Sequence, residues 1–303
     1  MSFLSPKTLL NRLGLRPRKS WGQNFLLYPH QAQRIVAALG LSREDPVVEI
    51  GAGLGALTGF LAQEAGRVVA LERDPMLCRF LQEEIFPDSP NVQVLCQDVL
   101  EFSFPELSRD VGRPLIVAGN LPYQITSPLL FKLVREKAAL SRAALMMQQE
   151  VGARILAPPG IKDYGVLSVL MQYHFAVERL FSLSPGNFYP TPRVDSVVLK
   201  LRPASPAIPA RDEALFSRVV KAAFGQRRKT LNNTLVAEAW TFGLSREEMR
   251  VVLKELRIDP ARRGETLSVA DFVAVSNGIV EVRGGTGDGK SPALPSNSPP
   301  NLL

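Results

Sequence analysis

Short apolar runs alternate with amphipathic stretches through the first two thirds of the chain, and only helical patterns follow. Residues 46–50, 67–72, 92–95 and 115–118 are strand-length apolar runs, the last one leading into Asn120. Helices are predicted between and around them: 6–13 ahead of a basic extended arm, an amphipathic helix over 29–39, then 57–63, 76–84 and 128–135. A strand over 143–147, helices over 148–156 and 166–173, and strands over 176–181 and 196–201 complete the alternation. That order predicts an α/β doubly wound sheet, with the last two strands closing it as an antiparallel, hairpin-like unit. The Pro-rich segment 202–209 reads as a linker. From 212 to about 277, Phe216, Val219, Val220, Ala223 and Phe224 give an apolar face at three-and-four spacing, which predicts a small all-helical domain. The last twenty residues, 284–303, are rich in Gly, Pro, Ser and Asn and read as a disordered tail. The expected division is therefore 1–203, 210–280 and 284–303.

Composition narrows the function. Hydrophobic residues make up 46% of 303, enough for a real core, and the net charge of +7 favours a polyanionic partner. Cys78 and Cys96 are the only cysteines and read as packing residues in a reducing compartment. Two histidines, His30 and His174, and no cysteine cluster argue against a metal site. No stretch reaches the eighteen apolar residues of a bilayer span, and Lys7, Asn11, Arg12 and Arg16 interrupt any signal-peptide core. A cytoplasmic protein is expected.

Glu49-Ile50-Gly51-Ala52-Gly53-Leu54-Gly55 follows a strand and precedes a helix. Its glycines permit a tight turn that a ligand can approach closely, as in Rossmann-like nucleotide sites. Glu72, at the end of the next strand, is placed to accept both hydroxyls of a ribose; the bland alternative is a surface charge beside Arg73 and Asp74. Asp98 is placed to accept an adenine amino group, or else to cap a turn. Glu49 is placed to anchor the loop or the amino-acid end of a cofactor. After the fourth strand comes Asn120-Leu121-Pro122-Tyr123. The Asn120 amide oxygen and the Leu121 carbonyl can accept the two N–H bonds of a planar amine, and Tyr123 can stack on an extruded base. Such an amine is a poor nucleophile, so placement rather than a strong base would carry a methyl transfer. Asn187-Phe188-Tyr189-Pro190 offers Phe188 as cover for the other face of the base, unless it simply packs in the core.

On these segments the chain resembles the bacterial small-subunit ribosomal RNA adenine dimethyltransferases. The matching stretches are Gly22-Gln23-Asn24-Phe25-Leu26, Glu49 to Thr58, Glu72, Gln97-Asp98 and Asn120 to Tyr123 with Ser127-Pro128. Gln149-Glu150-Val151, Asp163 to Ser168, Phe188 to Ser196 and Phe224 to Leu231 match as well. The resemblance implies S-adenosylmethionine as donor and dimethylation of N6 on two adjacent adenosines near the 3′ end of 16S rRNA. It implies a cofactor site at Asn24, Leu26, Gly51, Glu72, Asp98 and Asn120, beside the Gly53 of the turn, and a target adenine flanked by Tyr123 and Phe188. The partner it implies is the assembling small subunit, met by a monomer. Gln124, Gln149 and Asn232 stand where the family usually has Asn or His, Lys, and Arg.

Arg16, Arg18 and Lys19, the run Arg227-Arg228-Lys229, and Arg262-Arg263 are candidate phosphate contacts, or else solvated faces. Three other readings compete. A large-subunit adenine methyltransferase of the antibiotic-resistance type shares the transfer motif. A non-catalytic assembly or transcription factor could keep the fold. A dehydrogenase could use the glycine turn.

Overall fold

The computed structural model describes residues 5–18, 21–226 and 228–285. Lys19, Arg227 and the tail expected beyond 285 lie outside the described residues. The chain forms two compact units, Met1–Ala153 with His174–Ala204, and Arg154–Tyr173 with the chain from Ser205 onward.

The first unit is built on a seven-stranded sheet. Its strands are β2 (Pro46–Ile50), β3 (Arg67–Glu72), β4 (Val92–Cys96), β5 (Leu115–Asn120), β6 (Leu140–Gln148), β7 (Phe175–Leu183) and β9 (Ser196–Pro203). The order across the sheet is β4-β3-β2-β5-β6-β9-β7. The first five run parallel, whereas β9 is antiparallel to both β6 and β7. Every residue of β2 is buried, as expected for a central parallel strand covered on both faces. Helices α2 (Pro29–Ala37), α3 (Thr58–Glu64), α4 (Pro75–Phe80), α5 (Phe104–Asp110) and α6 (Thr126–Arg135) cross between strands or flank them. A π-helical turn, Leu81–Ile85, extends α4. Chain order reverses at β2, which pairs with β3 on one side and β5 on the other. Open α/β sheets bind ligands at the strand ends beside such a reversal.

Two short strands complete the unit. β1 (Phe25–Leu26) pairs with β8 (Phe188–Tyr189), placing Leu26 opposite Phe188. Ahead of β1 lies α1 (Pro6–Arg12), whose Ser5 hydroxyl accepts the Thr8 N–H. Leu10 of α1 is buried with Phe25 and Leu77.

The chain continues from β6 into α7 (Gln149–Leu156) and α8 (Val166–His174). The second unit contains α9 (Glu213–Phe224), α10 (Arg246–Glu255) and α11 (Val269–Gly285). Asp212 caps α9, and Ser245 with Glu248 forms a capping box on α10. The compact units do not follow the linear boundary at 203, because Arg154–Tyr173 groups with the later helices. Aromatic packing is the physical reason. Tyr173 lies 4.3 Å from the Phe216 ring centroid and Tyr164 lies 5.9 Å from that of Phe224. The Tyr164 hydroxyl donates to the Leu267 carbonyl at 2.9 Å.

Candidate active site

At the carboxyl ends of β2, β3 and β5 the first unit opens a cavity of about 1070 Å³. Of the residues singled out from sequence, Asn24, Leu26, Glu49, Gly51, Gly53, Glu72, Asp98, Asn120 and Pro122 line it. The glycine turn reaches its shape through left-handed backbone. Gly53 has φ +58°, and a Cβ there would press on the Phe25 ring at 3.1 Å.

Glu72 ends β3 and is 8% exposed. Its Oε2 accepts the Gly53 N–H at 2.8 Å, and its Oε1 accepts those of Arg73 and Asp74 at 2.9 Å each. Burial raises its carboxyl above the ordinary range, against the pull of these three N–H groups. A carboxylate offers about four acceptor positions, so capacity remains for a hydroxyl. Beneath it, Glu49 is buried, and Thr58 Oγ1 donates to its Oε2 at 2.5 Å. Burial and, less strongly, the nearby Glu72 charge push Glu49 up to about 8. A cleft floor that disfavours its own negative charge is suited to a cationic ligand. The sulfonium and ammonium of S-adenosylmethionine match it, and Glu72 matches a ribose.

Asp98 lines the cavity and caps a turn. Its Oδ1 accepts the Leu100 N–H at 2.9 Å, which caps the turn after β4. Its Oδ2 lies 3.5 Å from Arg73 Nη1.

Asn120 ends β5. Its Nδ2 donates to the Asn24 carbonyl at 2.8 Å, and the Asn24 amide donates in turn to the Gly22 carbonyl at 3.0 Å. The first bond uses the Asn120 amino group and leaves the acceptor capacity to Oδ1. Gly22 has φ +63°, and a Cβ there would sit 3.2 Å from the Tyr123 nitrogen and run into the Gln124 side chain. The arm before β1 is thus fitted against the loop after β5. Leu121 is buried, and its N–H bonds the Met146 carbonyl at 2.9 Å. Tyr123 is half-buried, and a hydrogen bond to the Ser196 side chain only partly offsets the rise that burial imposes on its phenol.

Some expected positions differ in the folded chain. Phe188 is 2% exposed and packs with Leu26, Met146 and Val198, so it backs the site from the core rather than covering an open face. Cys78 is buried, its thiol donating to the Glu72 carbonyl at 3.3 Å, but Cys96 is exposed because β4 is an edge strand. Arg16 is exposed, whereas the Arg18 guanidinium is held by Asp74 at 3.6 Å. In the second unit an antiparallel bridge joins Thr230 to Arg263, and the Leu231 N–H bonds the Arg262 carbonyl at 2.8 Å. That pairing sets exposed Arg228 and Lys229 near exposed Arg263. Arg262 is tied back to the Thr266 carbonyl at 2.6 Å and is less available to phosphate. Among the described residues, no group of three or more His, Cys, Asp or Glu side chains is placed to hold a metal, and no helix is long and apolar enough to cross a membrane. Two participants carried no sequence signal of their own: Trp21 and Arg73. Only their adjacency to Gly22-Gln23-Asn24 and to Glu72 could have drawn attention to them.

Residues 14–279 match the family described as ribosomal RNA adenine dimethylase. The chain belongs to the ribosomal RNA adenine dimethylase family. Similar members named ribosomal RNA small subunit methyltransferase A occur in Geobacter sulfurreducens, 45% identical over 89% of this chain and 98% of that one. Another, in Myxococcus xanthus, is 43% identical over 91% of this chain and 95% of that one. Among solved structures, a dimethyladenosine transferase from Plasmodium falciparum superposes with a TM-score of 0.71 at 25% identity, covering 83% of this chain and 95% of its own. The 23S rRNA methyltransferase ErmE superposes with a TM-score of 0.62 at 24% identity, over 84% and 99% of the two chains, a likeness of fold alone.

Proposed function

We propose that the chain transfers methyl groups from S-adenosylmethionine to N6 of two adjacent adenosines near the 3′ end of 16S rRNA, within the assembling small subunit. It acts as a cytoplasmic monomer in ribosome biogenesis. The observation that carries this reading is the Asn120 amide, turned by its bond to the Asn24 carbonyl so that its oxygen is the group left for the target.

S-adenosylmethionine supplies a methyl on a sulfonium; attack by the amine breaks the C–S bond, the electron pair leaves with sulfur, and N6 sheds a proton. The protein's part is placement. Asn120 Oδ1 and the Leu121 carbonyl accept the two N6–H bonds, which turns the nitrogen lone pair out of conjugation and toward the methyl. Tyr123 stacks on the extruded adenine, with Phe188 supporting that region from the core through the β1–β8 pair. Glu72 holds the ribose, Asp98 the cofactor's adenine, and Gly51 and Gly53 let the cofactor approach the backbone. In the second unit, exposed Arg228, Lys229 and Arg263 contact phosphate and position the RNA.

The deciding experiment is transfer of labelled methyl groups to unmethylated small subunits, with the modified bases mapped. Two adjacent N6,N6-dimethyladenosines near the 3′ end are expected. Label in large-subunit RNA instead would favour the antibiotic-resistance type, and no transfer by folded protein would favour a non-catalytic assembly role.

A further inference from the structure

The N-terminal arm brings an aromatic ring to the cofactor cleft that the reaction above does not use. The arm is anchored by buried Leu10 and by the Arg12–Glu84 ion pair. Trp21 follows and lines the cavity. Two guanidiniums lie over its ring, Arg18 at 4.3 Å and Arg73 at 5.2 Å from the ring centroid. Each has its own carboxylate: Arg18 faces Asp74 at 3.6 Å and Arg73 faces Asp98 at 3.5 Å. Asp74 is fixed independently, since it accepts from Gln23 at 3.2 Å and caps α4. The Arg73 side chain is 59% exposed. A long side chain that open to water pays side-chain entropy to stay in one place. Contact with the Trp21 face offsets that cost and keeps the flat cation beside Asp98.

We propose that Trp21 is a positioning residue for the cofactor: through Arg73 it sets the Asp98 carboxylate that receives the amino group of the cofactor's adenine. The inference rests on the cleft being the S-adenosylmethionine site. Asp98 Oδ1 is committed to the Leu100 N–H, so Oδ2 is the oxygen left to meet the adenine, and Oδ2 is the one Arg73 faces. At 3.5 Å the pair is a charge contact rather than a close hydrogen bond. It therefore orients Oδ2 while leaving lone pairs for the amino group.

The test uses calorimetry on the full chain with two probes: S-adenosylhomocysteine, and S-inosylhomocysteine, in which a carbonyl replaces the 6-amino group. Trp21→Ala is expected to weaken S-adenosylhomocysteine binding about fivefold, the size of one partly exposed cation–π contact. Trp21→Phe is expected to recover most of that loss. The double variant W21A/R73A should bind no more weakly than R73A, because both changes act on one chain of contacts. For S-inosylhomocysteine, W21A should match the parent protein. Equal losses for both probes, or additive losses in the double variant, would overturn the proposal by reducing Trp21 to a general support of the arm. If the parent protein binds neither probe, the methyl-transfer reading itself falls and takes the proposal with it.

Discussion

Asn120 is distinguished by where its amide is spent, not by being an amide. With Nδ2 given to the Asn24 carbonyl, Asn120→Ala loses the acceptor proposed for the target amine and also an anchor of the arm. Turnover is expected to fall about 100- to 1000-fold, the range for removing one preorganised polar contact at a reacting group. Single-turnover methylation with saturating donor measures this, and near-parental rates would remove Asn120 from the reacting group. Glu72→Ala should act on the other substrate. It strips three backbone N–H groups of their acceptor and removes the proposed ribose contact, so cofactor affinity should fall far more than affinity for ribosomal subunits. Equal losses would mean that the turn had simply collapsed. Glu49 gives a prediction with a definite sign. Its carboxyl titrates near 8 in the folded chain against 4.5 when unperturbed. Between those values the native state holds more protons than the unfolded one, so unliganded stability declines as pH rises and then levels above about 8. The slope is at most about 1.4 kcal/mol per pH unit for this one group. Glu49→Gln should flatten that part of the melting profile between pH 5 and 8. An identical profile in both proteins would mean that the Glu49 carboxyl is not perturbed.

At the scale of elements, the end of α10 departs from the usual residue choice. Arg257 has φ 55°, a left-handed conformation in which a Cβ is unfavourable. Its N–H bonds the Lys254 carbonyl and that of Ile258 bonds Leu253, the paired closure normally built around glycine. Arg257→Gly should therefore stabilise the chain by about 1 kcal/mol, read from the urea midpoint. A lower midpoint would show that the arginine side chain contributes more than its backbone costs. Legibility in the sequence follows the same logic of local against distant causes. The parallel strands could be read because each is a continuous apolar run, and Glu72, Asp98 and Asn120 because a polar residue just past such a run sits at the ligand edge. The two-residue strands β1 and β8 could not, since they exist only by pairing segments some 160 residues apart. The helix over 166–173 could be read, but its period does not say which core Tyr173 enters, and Tyr164 lies ahead of it, outside any helical pattern. The sequence pattern does not announce α5 either, although Ser103 three residues before Glu106 is a start signal. The depth of Phe188 and the commitment of Arg18 were hidden for the same reason, because their partners come from other helices and strands.

For the molecule as a whole the governing quantity is charge. A net +7 is modest for 303 residues, so where cations are free matters more than how many there are. Arg18 faces Asp74, Arg73 faces Asp98, Arg142 is held by Asp45 at 3.0 Å, and Arg262 is bound to Thr266. These serve the fold and the cleft. Arg228, Lys229 and Arg263 are exposed and are drawn together by the Thr230–Arg263 bridge, with Glu265 4.0 Å from Arg263. If they contact phosphate, each contact releases counterions, and log affinity falls with log salt by about 0.7 to 0.9 for each phosphate neutralised. Replacing all three with Gln should lower that slope by roughly 2 to 3. Binding to small subunits should weaken most at low salt, and cofactor affinity should stay at the parental value. The slope separates the two causes that affinity alone confuses. A weaker complex with an unchanged salt slope would mean that the substitutions disturbed the second unit's shape, and would count against phosphate contact at this face.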